Sequence, residues 1–162
     1  MSSADLPDDE LRRLDRLANR CIRYLVLVAL ASFLVGAYLL AQSQLFSQLL
    51  LGFCGSAVAA LTSCLDRYAA GFEREDGKPF PTNAKTGEGK FSRRFARWLF
   101  VRPFLGAIVA PAFIWGLAHF TKDPGPFLTQ PESLGFSDFT AGLLAKSVVD
   151  LIKNLFKNVF KG

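Results

Sequence analysis

Few side chains in this sequence are suited to chemistry, and they do not cluster. There is one histidine, His119, and there are three cysteines, Cys21, Cys54 and Cys64, all in or beside apolar runs. A metal site needs three or four His, Cys or carboxylate ligands converging on one point, and this distribution points to none. The cysteines read as small apolar residues. No pair of carboxylates at helical spacing occurs within the apolar runs, so an enzyme is the least expected class and no cofactor is expected. Gly87-Glu88-Gly89-Lys90 lacks the glycine spacing and the Ser or Thr after the lysine that a phosphate loop uses, and no strand is expected before it. One acid stands out. Asp138 lies between Phe136 and Phe139, and a lone acid in an apolar setting is expensive unless it meets water or a partner. Ser137, Asp138 and Thr140, with Lys146 and Asp150 further on, are therefore candidate pore-lining residues, and a ring of Asp138 would favour cations. The alternative role for Asp138 is a helix cap, its oxygen taking a backbone N–H near Thr140 or Ala141.

The elements that must position these residues are apolar. Three runs, Ile22–Gln42, Leu45–Leu65 and Leu99–Phe120, each approach the ~20 residues a helix needs to cross a hydrocarbon core. The fold class expected is all-α: a polytopic membrane protein with a transmembrane hairpin, a third kinked span and a semi-polar amphipathic C-terminal helix that crosses or re-enters. The expected divisions are an amphipathic lead-in over 1–21, the hairpin over 22–66, a basic cytoplasmic loop over 67–97, the third helix over 98–120, and the C-terminal segment over 121–162. Only Ser43 and Gln44 separate the first two runs, which predicts a tight antiparallel turn. Pro103 and Pro111 interrupt the third run and predict a kink that neighbouring helices must re-satisfy.

Charge sets the expected orientation. Arg67–Arg97 carries eight basic residues against four acids, and the tail from Lys146 carries four lysines against one acid. Five arginines also lie from the N-terminus through Arg23. Loops rich in Lys and Arg stay cytoplasmic, so the N-terminus, the middle loop and the tail are expected inside. The first run is too long and its flank too acidic for a signal peptide. Three spans alone would put the tail outside, so the chain is expected to return between Phe127 and Ile152. From Leu144 the pattern Leu144, Val148, Leu151, Ile152, Leu155, Phe156 and Val159 is that of an amphipathic helix. The competing reading lays that helix flat on the outer leaflet.

Small residues predict where helices approach closely. Gly52, Gly55, Ser56 and Ala59 on the second run, and Gly106 and Ala110 on the third, have small-xxx-small spacing suited to packing in lipid. Arg93, Arg94, Arg97 and Arg102 are expected to meet anionic lipid headgroups, the first three from a basic amphipathic stretch on the inner leaflet and Arg102 by snorkelling. A pairing of Arg102 with Asp66 is the alternative. The partners expected are thus a bilayer with anionic headgroups and other copies of the chain in a homo-oligomer, with a cytoplasmic protein partner possible for the C-terminal helix. Nucleic acid is not expected.

Two elements carry a family resemblance: the opening Arg102-Pro103-Phe104-Leu105-Gly106-Ala107, and Phe139-Thr140-Ala141-Gly142 followed by Lys146. Together they resemble small three-span bacterial membrane proteins of conflict systems, of the YEATS-associated three-transmembrane type, over Arg102–Lys153. This chain departs from them in lacking an apolar run before Phe139. The resemblance implies a bacterial inner membrane and a pore-forming role. Residues and resemblance together lead to the expectation of a homo-oligomeric, cation-permeable channel. The alternative is a structural or adaptor membrane subunit whose C-terminal helix docks a partner.

Overall fold

The computed structural model describes residues 6–40, 42–72, 90–120 and 130–159. They form four helices: α1 (Leu6–Leu39), α2 (Gln44–Ala70), α3 (Arg93–Phe120) and α4 (Pro131–Val159). Three of these, over Asp9–Leu39, Gln44–Ala70 and Arg93–Gly116, are long and apolar enough to cross a membrane. The chain is accordingly an all-helical, multi-pass type of molecule. The bulk of the loop between α2 and α3, including Gly87–Gly89, and the segment 121–129 lie outside the described residues, as do the side chains from 148 onward.

The burial pattern is that of a protein in lipid. On α1 the inward stripe is Leu14, Ala18, Cys21, Leu25, Ala29, Ser32 and Gly36, dominated by small residues. Its outward face carries Leu27, Leu30, Phe33, Leu34 and Val35, all exposed. In water the large apolar side chains would turn inward. Where lipid tails are as apolar as leucine, helices associate through close packing and hydrogen bonds, and small residues take the interface. Ser47 fits this rule, its Oγ donating across the hairpin to the Gly36 carbonyl at 3.0 Å, while the buried Ser32 Oγ is satisfied within α1 by the Val28 carbonyl at 2.6 Å.

α2 is the central helix and packs against α1, α3 and α4. Its contact with α3 and α4 is backbone against backbone. A Cβ placed on Gly52 would collide with Ala110 Cβ and lie 2.6 Å from the Gly106 carbonyl oxygen. A Cβ on Gly106 would strike the Gly52 carbonyl and the Ser56 side chain, and one on Gly142 would strike the Gly52 carbonyl. Gly55 lies equally close to the Phe139 carbonyl. Ser56 Oγ adds a bond to the Arg102 carbonyl at 2.8 Å. The small-residue faces read from the sequence are thus used within one chain, to join α2 to α3 and α4. Ala59 is only half-buried, and Gly116 has open space around it.

α4 starts at the hairpin-turn end of the bundle. A Cβ on Gly135 would lie 3.0 Å from Leu51 Cδ1 and 3.1 Å from Leu40 Cδ2. One turn on, Phe139 packs on the cluster Ala29, Cys54 and Ala57, at mid-depth of the hairpin. The helix begins at Pro131, earlier than the pattern from Leu144 indicates. Proline suits a first helical position, because its missing N–H would have no partner there. At 29 residues and ~1.5 Å per residue, α4 is long enough to cross a bilayer.

The opposite end holds a second core. Ala18, Cys21 and Leu25 of α1 meet Ala60 and Cys64 of α2 and Phe91, Phe95, Ala96 and Leu99 at the start of α3. The stretch Lys90–Arg97 is therefore not a separate helix lying on the leaflet. α3 begins at Arg93 and runs on into the span, with Phe91 fully buried in protein rather than in lipid. Phe91 N–H donates to the Gly71 carbonyl at 2.9 Å, Arg67 sits 4.0 Å over the Phe95 ring, and Phe72 meets Phe91 edge-on. These contacts clamp the two ends of the α2–α3 loop together. The lead-in over 1–21 likewise packs on protein: α1 is one helix from Leu6, with Leu14 and Ala18 buried.

Gly52→Val is expected to destabilise the bundle by about 1–3 kcal/mol through overpacking at backbone, while Gly116→Ala stays within about 0.5 kcal/mol. Thermal unfolding in detergent checks both. Equal melting of the two variants would mean that the α2–α3 approach is looser than its geometry indicates.

Candidate functional site

The buried face of α4 is Leu134, Gly135, Asp138, Ala141, Gly142 and Ala145. Leu134, Asp138, Ala141 and Ala145 are spaced by four, three and four residues, one stripe of a helix. Its small members let α4 sit against α2, and that approach carries Asp138 into the bundle. Asp138 is 0% exposed, and neither carboxylate oxygen has a hydrogen-bond partner among the described residues. Buried polar groups are ordinarily paired, and one left unpaired costs roughly 1–3 kcal/mol, more when charged. The cap reading fails on geometry. Asp138 lies well inside a helix that starts at Pro131, and its oxygens take no backbone N–H.

The other candidate lining residues are not brought together with it. Ser137 and Thr140 lie half-buried on a neighbouring face, with Phe136 exposed beside them. Ser137 Oγ donates to the Ser133 carbonyl and Thr140 Oγ1 to the Phe136 carbonyl, each at 2.8 Å, so both hydroxyls are engaged by their own helix. Lys146 is exposed. The side chain of Asp150 lies outside the described residues. Asp138 thus faces into its own chain, which corrects the picture of a ring of Asp138 open to a central channel.

Among the arginines, Arg93, Arg94 and Arg97 are exposed at the start of α3, where headgroups are expected. Arg102 is not. It is 6% exposed, and its Nη1 donates to Ser63 Oγ of α2 at 2.8 Å. The guanidinium is turned into the protein rather than out to the lipid, and Asp66 stays exposed. With Ser56 on its carbonyl, Arg102 is bonded to α2 through both main chain and side chain. The expected snorkelling out to headgroups is not the orientation the side chain takes.

The arginines of the lead-in, which the sequence places on one face of an amphipathic helix, form part of a further grouping. Arg13, Arg16 and Arg20 of α1 and Arg93 of α3 line one open cavity of about 490 Å³, floored by Leu17. The spacing of Arg13, Arg16 and Arg20 by three and four residues put them on one helical face. That signal is in the sequence. The approach of Arg93 from a distant helix is not.

Compared with protein-family models, curated proteins and solved structures, the chain matches none.

Because both oxygens of Asp138 lack partners among the described residues, Asp138→Asn is expected to leave the fold intact and to raise its stability at neutral pH by about 1–3 kcal/mol, in line with the cost of an unpaired buried polar group. Denaturant titration in mixed micelles measures this. A loss of stability would reveal a structural partner for the carboxylate.

Proposed function

We propose that the chain is a membrane channel for a small cation, that the cation is the proton, and that Asp138 is the group it occupies on the way through. The observation that carries the reading is the fully buried, unpartnered carboxyl on the packed face of α4. Ionisable groups inside membrane helices are expensive and mark ion or proton pathways by default. The size of the site favours the proton. A side chain with no water-accessible surface leaves no space for a hydrated metal ion, whereas a proton needs only a carboxylate oxygen and a transient water. The resemblance of Arg102–Ala107 and Phe139–Gly142 to small pore-forming membrane proteins points the same way.

In this reading α4 crosses the membrane, returning the lysine-rich tail to the side of the Arg67–Arg97 loop, as positive-inside requires. The length of α4 and its start beside the hairpin turn support that course. Copies of the chain assemble as a closed ring, the commonest form for homo-oligomers. The exposed Phe136 and Leu144 face of α4 is the surface available to a neighbouring copy. The membrane is the bacterial inner membrane implied by the resemblance.

Proteoliposomes holding an internal pH dye, with a potassium-valinomycin potential, test the function. The wild type is expected to dissipate the gradient, Asp138→Asn to fall to the protein-free baseline, and Asp138→Glu to retain conduction because it keeps the exchangeable proton. Ser137→Ala and Thr140→Ala are expected to conduct as the wild type does. If those two variants lose conduction while Asp138→Asn keeps it, the path runs between copies and not through Asp138. A wild type silent to protons and metal cations removes the channel reading altogether and leaves the adaptor alternative.

A further inference from the structure

Asp138 has a polar neighbour in register on α2. We infer that Gln48 is the positioning residue of the Asp138 site, its amide N–H holding the carboxylate when the proton leaves, and that the proton exchanges with the hairpin-turn end. The inference rests on the reading of Asp138 as the group a proton occupies. One contact sets the register. Gly142 of α4 lies against the Gly52 carbonyl of α2. Both helices start at the hairpin-turn end, α2 at Gln44 and α4 at Pro131, so they run the same way. Gln48 precedes Gly52 by four residues, and Asp138 precedes Gly142 by four. Residues four apart share a helix face. Both side chains therefore stand one turn from the contact, on the touching faces and on its hairpin-turn side. The azimuth agrees. The α2 residues that meet α4 are Leu51, Gly52 and Gly55, at Gly135, Gly142 and Phe139. At 3.6 residues per turn, Gln48 falls between Gly55 and Gly52 around the helix. Ser47, by contrast, turns to α1 and bonds the Gly36 carbonyl.

The two groups are chemically complementary. Neither Asp138 oxygen has a partner among the described residues, and the Gln48 amide makes no hydrogen bond there either. A glutamine amide carries two N–H donors on a flexible stem. A carboxylate with no donor at this depth is costly, and a hydrogen bond to an ionised group is about twice as strong as a neutral one. No charged side chain of the described residues faces this level. Arg102 bonds Ser63 at the other end of the seam, His119 is exposed against Trp115, and Lys146 is exposed two turns further along α4. Cys54 donates to the Ala29 carbonyl of α1. The side chain of Glu132 lies outside the described residues. Gln48 is half-buried and only one turn, about 6 Å, from the start of α2. Water at that end can thus reach its amide. Toward the basic end, the Gly52–Gly142 contact and the buried Ala141 and Ala145 close the seam. In the exchange the carboxyl O–H bond breaks and the proton passes to a water beside Gln48. The electron pair stays on the oxygen, which accepts the amide N–H, and the reverse step restores both.

The test combines proton conduction with infrared spectroscopy on the full chain in liposomes. Gln48→Met keeps the shape and removes the amide, Gln48→Asn keeps an amide, and Gln44→Met is the control at the exposed start of α2. Gln48→Ala serves if Gln48→Met fails to fold. The carboxyl and carboxylate bands of Asp138 are identified by their loss in Asp138→Asn. Gln48→Met is expected to lower conduction about ten-fold and to shift the carboxylate band. The band of the protonated carboxyl, formed without the amide, is expected to stay in place. Gln48→Asn is expected to recover part of the conduction, and Gln44→Met to match the wild type. An unmoved carboxylate band in Gln48→Met, or conduction equal to the wild type, overturns the inference and leaves the channel reading standing. A wild type silent to protons overturns the channel reading instead, and the carboxylate band alone then decides the role of Gln48.

Discussion

The close approach at Gly52 is the contact on which the rest of the bundle depends. At this one residue α2 touches α3 through Gly106 and Ala110, and α4 through Gly142, with no room for a side chain on any of the three glycines. In lipid no hydrophobic drive pulls helices together, so their association rests on dispersion contacts and hydrogen bonds that only close approach allows. Ser56 and Arg102 continue the same seam toward the basic end, each bonding across to the other helix. Loosening Gly52 would release α3 and α4 together, because both rest on the same turn of α2.

That seam also accounts for the position of the unpaired acid. α4 lies against α2 through Gly135, Phe139 and Gly142, and the azimuth this imposes brings Asp138 onto the buried side together with Ala141 and Ala145. A helix free to rotate in lipid would turn the carboxyl toward water or a headgroup. Here the backbone contacts outweigh its desolvation. The site is therefore built by the same small residues that build the fold, and it has no separate scaffold.

The two ends of the molecule are made differently. At the hairpin-turn end, small residues and serine hydroxyls join the helices. At the basic end, aromatic rings take over: Phe72, Phe91 and Phe95 stack edge-on in series, with Arg67 over the last ring. That core extends beyond the apolar run of α1 into the arginine-rich lead-in, where Leu14 and Ala18 are buried. The lead-in and the start of α3 are thus extensions of the spans. Their outward faces hold the arginines, and their inward faces hold the helices in register.

Local properties of the sequence determined the three spanning helices, the tight hairpin between the first two and the small residues available for packing, although the turn lies between Leu39 and Gln44, and Gln44 already belongs to α2. Apolar run length, helical spacing and charge need no tertiary information. Azimuth was decided only by the tertiary structure. It turned Arg102 inward to Ser63, Asp138 into its own chain, Phe91 into protein, and the Gly52–Ser56 face toward α3 and α4 rather than toward another copy. Helical periodicity says which residues share a face, but in a membrane both faces of a span are apolar. The contrast in hydropathy that tells inside from outside in water is therefore missing. Which face meets a helix and which meets lipid is set by the fit of backbones brought together from distant parts of the chain.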